Sequence, residues 1–349
     1  MTVKDSLVVQ LAYPGIEELV DIARVSAVDE RIETVLCPFM DSTELRTAKR
    51  LEPESKVLRA RAPKLDDAQI EAFSRAEILL GLDAPFDVAK VAPNLRWIQA
   101  MGSGVGQFAA SGLAGSGIQL TNAAGVGAPS IAEFVIGRML SIWKDFSGLA
   151  ELQAKRSWVR RQGHLLLGST VGIVGLGAIG SAVARRAKAF DVQILASRRS
   201  FEPGMRAPDV DQLYGPAGLH DMLGRCDVVV LAAAGTPETE NLMDAAAIGA
   251  MKPGAVFINV ARGNMVDEGA LADALRSGRL AAAATDVAIE EPLPPESALW
   301  DVPNLHISPH SSASQDRYFE MIFELFLENL AAYVAHEPLR NVVDPATGY

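Results

Sequence analysis

Arg262, His310 and three of the carboxylates between them, Asp286, Glu290 and Glu291, are the residues whose types and spacing could do chemistry. Each follows a short apolar run that reads as a β-strand. Ala255-Val-Phe-Ile-Asn-Val260 leads to Ala261-Arg262, residues 281–286 end at Asp286, and residues 305–308 lead to Pro309-His310. A guanidinium at a strand's carboxyl end can bind a carboxylate and a carbonyl oxygen through its fork of donors. A carboxylate beside an imidazole fixes its tautomer and favours the protonated ring, which suits a general acid or base. The plainer alternatives are a structural salt bridge for the arginine and a structural role for a lone histidine.

These residues need an element that brings strand ends together, and Thr170-Val-Gly-Ile-Val-Gly-Leu-Gly-Ala-Ile-Gly180 supplies it. A β-branched run meets Gly175, Gly177 and Gly180 at G-x-G-x-x-G spacing, and residues 181–190 continue at helical period. In that context Gly175 serves the tight turn, Gly177 the approach of a pyrophosphate, and Gly180 close helix–strand packing. The helix N-terminus offers free N–H groups to phosphates. The next strand ends in Ser197-Arg198-Arg199. A carboxylate here would bind ribose hydroxyls and repel a 2′-phosphate, whereas a small residue and two guanidinium groups would bind that phosphate. This predicts NADP(H) as the preferred cofactor, with NAD(H) a possible substitute. Two exposed arginines on a turn are the alternative.

A chain of 349 residues suggests about two domains, and 49% hydrophobic with 21% charged residues describes a globular protein. The net charge of −11 argues against nonspecific nucleic-acid binding and against docking on anionic lipid. Cys37 and Cys226 form no disulfide framework or zinc pattern, and no metal site is expected. Cys226 opens an apolar run and reads as a buried thiol. Charges at Lys4 and Asp5 with a brief apolar stretch do not fit a signal peptide. No apolar run approaches the roughly 20 residues that span a bilayer, so a cytoplasmic protein is expected.

Along the chain, residues 6–11, 31–39, 76–81 and 95–100 read as strands of a first α/β unit, with one helix over 16–24. The charged segment Asp41–Pro63 is expected to hold one helix and a solvated loop. Met101-Gly-Ser-Gly-Val-Gly106 is a glycine-rich turn able to form an anion-binding nest, or a flexible loop. A long apolar helix begins near Pro129. The basic run Arg156–Arg161 reads as a solvated face. From 171 the strand candidates are 171–174, 192–196, 227–232, 256–260, 281–286 and 305–308, alternating with helices over 178–190, 217–224, 242–250 and 266–277. That pattern predicts a doubly wound parallel sheet of six strands. A long apolar helix follows Asp316 and is expected to return to the first domain.

Lys252–Leu271 resembles the arginine motif of the D-2-hydroxyacid dehydrogenases, Asp286-Val-Ala-Ile-Glu-Glu-Pro-Leu-Pro294 their glutamate motif, and Pro303–His310 their histidine motif. The resemblance covers about 120–320 closely, and the order of glycine motif, Arg, Glu and His is more specific than any one piece. The N-terminal hundred residues match loosely, apart from Gly102-Ser-Gly-Val105.

The resemblance implies a two-domain α/β protein: a flavodoxin-like substrate-binding domain made of 1–122 and 313–349, and a Rossmann-type cofactor domain over 123–312. It implies that Arg262 holds the substrate's 2-oxo group and carboxylate, that Glu291 pairs with His310, and that His310 gives a proton to the carbonyl oxygen. Backbone N–H groups of Ser103, Gly104 and Val105 would bind the substrate carboxylate. Asp286 would hydrogen-bond the nicotinamide carboxamide. The cofactor would also lie along Ala178, Ile179, Ala233, Ala234, Thr239, Val260 and Ala261. The expected activity is reduction of a small 2-oxo acid, as in the NADPH-using glyoxylate and hydroxypyruvate reductases, by a homodimer. Formate or phosphite oxidation, or a non-catalytic dinucleotide sensor like the corepressors of this fold, are the alternatives. Gly106 stands where Asp or Asn is common, which implies a looser substrate loop. Ala234 replaces a frequent proline and Ala288 a frequent aromatic.

Overall fold

The computed structural model describes residues 6–345, and the N-terminal charges at Lys4 and Asp5 lie outside the described residues. In chain order the first elements are β1 (Leu7–Leu11), α1 (Ile16–Leu19), α2 (Ala23–Ser26), β2 (Ile32–Leu36), α3 (Thr43–Leu51), α4 (Lys56–Arg61), α5 (Asp67–Arg75), β3 (Ile78–Gly81), α6 (Val88–Val91), β4 (Trp97–Ala100) and β5 (Gln119–Thr121). Then come α7 (Ala128–Trp143), α8 (Phe146–Ala154), β6 (Thr170–Val174), α9 (Ala178–Ala187), β7 (Gln193–Ser197), β8 (Gln212–Tyr214), α10 (Leu219–Leu223), β9 (Val228–Leu231) and α11 (Ala245–Ala250). The chain closes with β10 (Val256–Asn259), α12 (Glu268–Arg276), β11 (Ala282–Thr285), β12 (Leu305–Ile307), α13 (Tyr318–Val334) and β13 (Val342–Val343). The chain forms two compact units, one of residues up to Val126 together with those from Asp316, the other Gly127–Gln315.

The first unit holds a sheet of order β13-β5-β4-β3-β1-β2, parallel except for β13, which runs antiparallel to β5. Period-2 alternation sends Val9, Leu11, Ile78 and Leu80 to one face and Leu79 and Ile98 to the other. The apolar side of α13 covers the first of these faces. Trp97 stacks between Phe326 and Tyr333, with centroids 5.6 Å from each, and its indole N–H donates to Thr121 Oγ1 at 2.8 Å. Buried Asn329 of α13 donates to Gln99 Oε1 at 3.0 Å and accepts from Arg340 N–H at 2.8 Å, so the helix is registered on the sheet by polar bonds as well as packing.

Two readings of this unit change. The expected helix over 16–24 is two short helices, because Val20 is extended (φ −146°) and Asp21 turns its carboxylate back to the Ala23 N–H at 3.1 Å. The expected single helix in Asp41–Pro63 is also two. Ser42 caps α3 by accepting from Leu45 N–H at 3.2 Å, and Ser55 caps α4 by accepting from Leu58 N–H at 3.4 Å.

The second unit holds an all-parallel sheet of order β12-β11-β10-β9-β6-β7-β8, seven strands rather than the expected six. The missed strand is β8, three residues in a polar stretch, paired in register with Leu195–Ser197 of β7. One face packs Val171, Ile173, Val228, Val230 and Ile258 against α7 and α9. The other packs Leu195, Val229, Leu231 and Phe257 against α10, α11 and α12. Near-continuous apolar strands are what a sheet covered on both faces demands. Cys226 is fully buried in this core, and burial pushes its thiol up to about 12. Among the described residues no helix is long and apolar enough to cross a membrane.

Candidate active site

The strand order reverses at β6 and β9, which lie side by side with their successors on opposite flanks. In an open parallel sheet this reversal opens a crevice beyond the strands' carboxyl ends. The glycine motif fills that position. Gly175 has φ +98°, and a Cβ there would stand 2.3 Å from the Ala233 Cα, so only glycine lets the β6 turn lie against the end of β9. A Cβ on Gly180 would meet the Gly175 carbonyl oxygen at 2.2 Å, so α9 starts flush against that turn. Gly177 stands at the N-cap of α9, extended, with nothing within 4 Å of where its Cβ would be. The cradle thus has tight walls, an open floor and the free N–H groups of a helix start, which fits a dinucleotide pyrophosphate.

Ser197 ends β7 and is buried; its carbonyl accepts from the Gly175 N–H at 3.0 Å. Arg198, half-buried, and Arg199, exposed, follow it. Arg198 donates to Ser200 Oγ at 3.2 Å. Arg199 lies in the field of Glu238, whose carboxyl is held below its ordinary range first by a bond from Thr236 and to a lesser extent by Arg199. Thr239 closes the turn after β9, donating to the Ala234 carbonyl at 2.8 Å. Ala178 and Ile179 form the first turn of α9, and Val260 and Ala261 follow β10 as buried backbone.

Strands β10, β11 and β12 are consecutive neighbours in the sheet, and all run parallel. Arg262, Asp286 and His310, which follow them, are therefore set along one edge. His310 Nδ1 lies 2.8 Å from Glu291 Oε2, and Glu291 Oε1 accepts from the Ala288 N–H at 3.1 Å. The carboxylate is thus held at one oxygen by backbone and at the other by imidazole. His310 Nε2 makes no hydrogen bond among the described residues. Both side chains are about half exposed, so the pair is open to a ligand.

Arg262 sits in a turn tied by Asn259, whose side chain accepts from Ala261 N–H at 3.0 Å and donates to the Arg262 carbonyl at 3.2 Å. The guanidinium spends one donor on the Ala261 carbonyl at 2.6 Å and keeps the rest of its fork. Its stem lies against Gly235, 3.0 Å from where a Cβ would stand. Gly263 next to it has no room for any side chain: a Cβ would be 2.0 Å from the carbonyl carbon of Ala288. The arginine turn is thereby packed directly on the loop that carries Glu291.

Asp286 is buried, and its carboxylate accepts from Ser308 Oγ at 2.6 Å, Ser311 N–H at 3.0 Å and Ser312 N–H at 2.9 Å. What the structure shows it holding is the turn that bears His310. Asn259 and Asp286 are the two positioning residues that sequence reading missed in this role. The available signal was a polar residue inside an apolar strand run, Ile258-Asn259-Val260, and a serine cluster, Ser308 to Ser312. A cavity of about 760 Å³ in this unit is elsewhere. It lies at the amino ends of the strands, lined by Trp143, Arg161, His164, Asp227 and Asn304, and has no part in this constellation.

In the other unit, Ser103 and Gly104 are exposed and Val105 is buried in the turn after β4. Asn122 holds this turn by donating to the Ser103 carbonyl at 2.8 Å. The N–H groups of Ser103, Gly104 and Val105 donate no hydrogen bond among the described residues. Three unspent donors in one turn are available to an anion. The space beside Gly106 is taken by the stem of Arg50 from α3.

Residues 136–312 match the family described as D-isomer specific 2-hydroxyacid dehydrogenase, NAD binding domain. The chain is 29% identical over 287 residues to a glycerate dehydrogenase of Methylorubrum extorquens, covering 79% of this chain and 88% of that one. A 2-hydroxyacid dehydrogenase family protein from Aeromonas salmonicida superposes with a TM-score of 0.75 at 29% identity, over 97% of this chain and 99% of that one. An NADPH-dependent glyoxylate/hydroxypyruvate reductase from Sinorhizobium meliloti, solved with NADP and sulfate, superposes with a TM-score of 0.73 at 25% identity, over 99% of this chain and 100% of that one. With the fold, the matched motifs and these likenesses in agreement, the chain belongs to the D-isomer specific 2-hydroxyacid dehydrogenases and is an NAD(P)-dependent enzyme of that family.

Proposed function

We propose that this enzyme reduces small 2-oxo acids, of the glyoxylate or hydroxypyruvate type, to D-2-hydroxy acids with NADPH, in the cytoplasm. The observation that carries the reading is the His310–Glu291 pair standing on the same strand-end edge as Arg262. A bound dihydronicotinamide supplies the hydride. Arg262 binds the 2-oxo oxygen and a carboxylate oxygen through its unspent donors, drawing charge from the carbonyl carbon. His310, protonated on both nitrogens, keeps Nδ1–H on Glu291 and presents Nε2–H to the carbonyl oxygen, which takes that proton as it becomes a hydroxyl. Glu291 holds the ring at the angle that aims Nε2. The N–H groups of Ser103, Gly104 and Val105 bind the substrate's carboxylate, which assigns the first unit the substrate.

The NADPH preference rests on Ser197-Arg198-Arg199, where no carboxylate stands to repel a 2′-phosphate. The relative from Sinorhizobium meliloti, solved with NADP, supports it. The test is an initial-rate panel of NADPH and NADH against glyoxylate, hydroxypyruvate, formate and phosphite. The expected result is turnover of the two 2-oxo acids with NADPH favoured. Replacing Arg198 and Arg199 together with Ala should then raise the NADPH KM about tenfold to a hundredfold and leave NADH nearly unchanged. An unchanged NADPH KM would remove the cofactor assignment. Tight NADPH binding with no turnover would favour a dinucleotide sensor.

The protein is further read as a homodimer formed through the cofactor unit. Trp158 stands fully exposed, with Val159, Leu165 and Leu167 on the same unstructured stretch and Phe146 and Leu149 on α8 also exposed. Apolar exposure of that extent marks a contact surface. Light scattering should return twice the 37.1 kDa chain mass, and a value at the chain mass would refute the dimer.

A further inference from the structure

The site reading leaves Arg50 unexplained. Three basic residues lie on α3: Arg46, Lys49 and Arg50. Lys49 is buried, paired with the Asp41 carboxylate, bonded to the Ala84 carbonyl at 2.9 Å and seated over the Phe86 ring at 4.5 Å. Arg46 donates to the Asp41 carbonyl at 3.2 Å and lies 3.9 Å from the carboxylate of buried Asp83. The two acids thus take up these two cations. Arg50 is exposed and makes no ion pair or hydrogen bond through its side chain among the described residues.

Its stem is fixed nonetheless. A Cβ on Gly106 would meet Arg50 Cγ at 2.7 Å and Cδ at 2.9 Å. Those atoms are part of the side chain's own packing, so the glycine is the space the arginine occupies. The guanidinium is two bonds beyond Cδ. Gly106 directly follows the three residues whose N–H groups are free, so the side chain packed on that glycine carries an unneutralised cation in the same unit. An Asp or Asn at 106 would displace Arg50, and an Asp would also cancel its charge.

Resting on the substrate role given to this loop under the proposed function, we propose that Arg50 is a specificity residue that selects 2-oxo acids carrying a second anionic group. The first carboxylate occupies the N–H nest, and a distal carboxylate or phosphate pairs with the guanidinium, which suits both groups through its planar fork. Glyoxylate and hydroxypyruvate have no such group and leave the arginine unpaired.

The test compares kcat and KM for hydroxypyruvate, oxaloacetate and 3-phosphohydroxypyruvate in the wild type, Arg50→Gln and Gly106→Asp. The wild type should favour one dianionic substrate over hydroxypyruvate by about tenfold or more in kcat/KM. Arg50→Gln keeps most of the stem and should erase that advantage through KM, with hydroxypyruvate little changed. Gly106→Asp should erase it as well. The substrate that loses more identifies the second group as carboxylate or phosphate. No dianion preference in the wild type, or an equal preference in Arg50→Gln, overturns the proposal.

A separate titration of the NADPH-loaded protein with D-malate and D-lactate distinguishes the two layers of the argument. If no 2-oxo acid is reduced, the reductase reading fails. Arg50 is then judged by binding alone: D-malate weakened about tenfold in Arg50→Gln with D-lactate unmoved keeps the proposal, and equal D-malate affinity ends it.

Discussion

Replacing His310 with Gln lowers kcat for a 2-oxo acid by about 10²–10⁴-fold, the range that a positioned general acid contributes. Glutamine fills similar space but cannot release a proton, so chemistry is lost while the fold remains. NADPH affinity, measured by fluorescence titration, should stay within about threefold, because the glycine cradle is built from β6, β9 and α9, not from the turn after β12. Glu291→Gln should cost less. It still occupies the place 2.8 Å from Nδ1 and can still accept a hydrogen bond, but it no longer offers a charge to an imidazolium. Full activity in His310→Gln would remove the histidine from the mechanism, and a parallel collapse of cofactor binding would make it a structural residue.

Arg262→Gln should reduce kcat/KM about a hundredfold or more, in line with the loss of a charge-assisted pair to a desolvated carboxylate. Arg262→Lys should recover little of it, since a point charge cannot meet carbonyl and carboxylate oxygens at once. The environment is prepared for the fork: Asn259 pins the turn, Gly235 admits the stem and Gly263 admits the neighbouring loop. A lysine variant with near wild-type kcat/KM would reduce the arginine to a general electrostatic contribution. Steady-state kinetics with cofactor at saturation measures both variants.

Much of this was legible in the chain. The strand–turn–helix at Thr170–Gly180 carries its own geometry, since Gly175 and Gly180 each answer to a neighbour too close for a side chain and Gly177 leaves the floor open. The apolar strands of the second sheet were legible because burial on both faces leaves no polar alternation to confuse the pattern. Elements below that threshold were missed. Gln212–Tyr214 and Gln119–Thr121 are three residues each, and their strand state is decided by the partner they pair with, not by their own pattern. Val342–Val343 belongs to the first sheet only because the chain returns there after α13, a long-range event that no local window contains.

The site divided in the same way. The residues proposed to act through their own chemistry, Arg262, Glu291 and His310, stood out by type and by their place after strands. Residues that act by holding others did not. Asn259 looks like a polar interruption in a strand, and its two bonds exist only once the turn has closed. Arg50 falls in the charged segment expected to hold one helix and a solvated loop, and its packing on Gly106, more than fifty residues away in sequence, lies outside any local window. The room that a side chain leaves at Gly106 is filled by the stem of Arg50, which residue spacing does not show.

His310 has φ +50°, a left-handed backbone that a non-glycine residue adopts at some cost. The turn affords it because Asp286 gathers Ser308, Ser311 and Ser312 onto one buried carboxylate, while the His310 N–H donates to the Asp286 carbonyl at 2.8 Å. An acid that never touches the imidazole therefore works as the keystone of its mounting. The residue cannot relax into an easier backbone without breaking the arch beneath it, so the imidazole proposed as proton donor stands on a fixed mount.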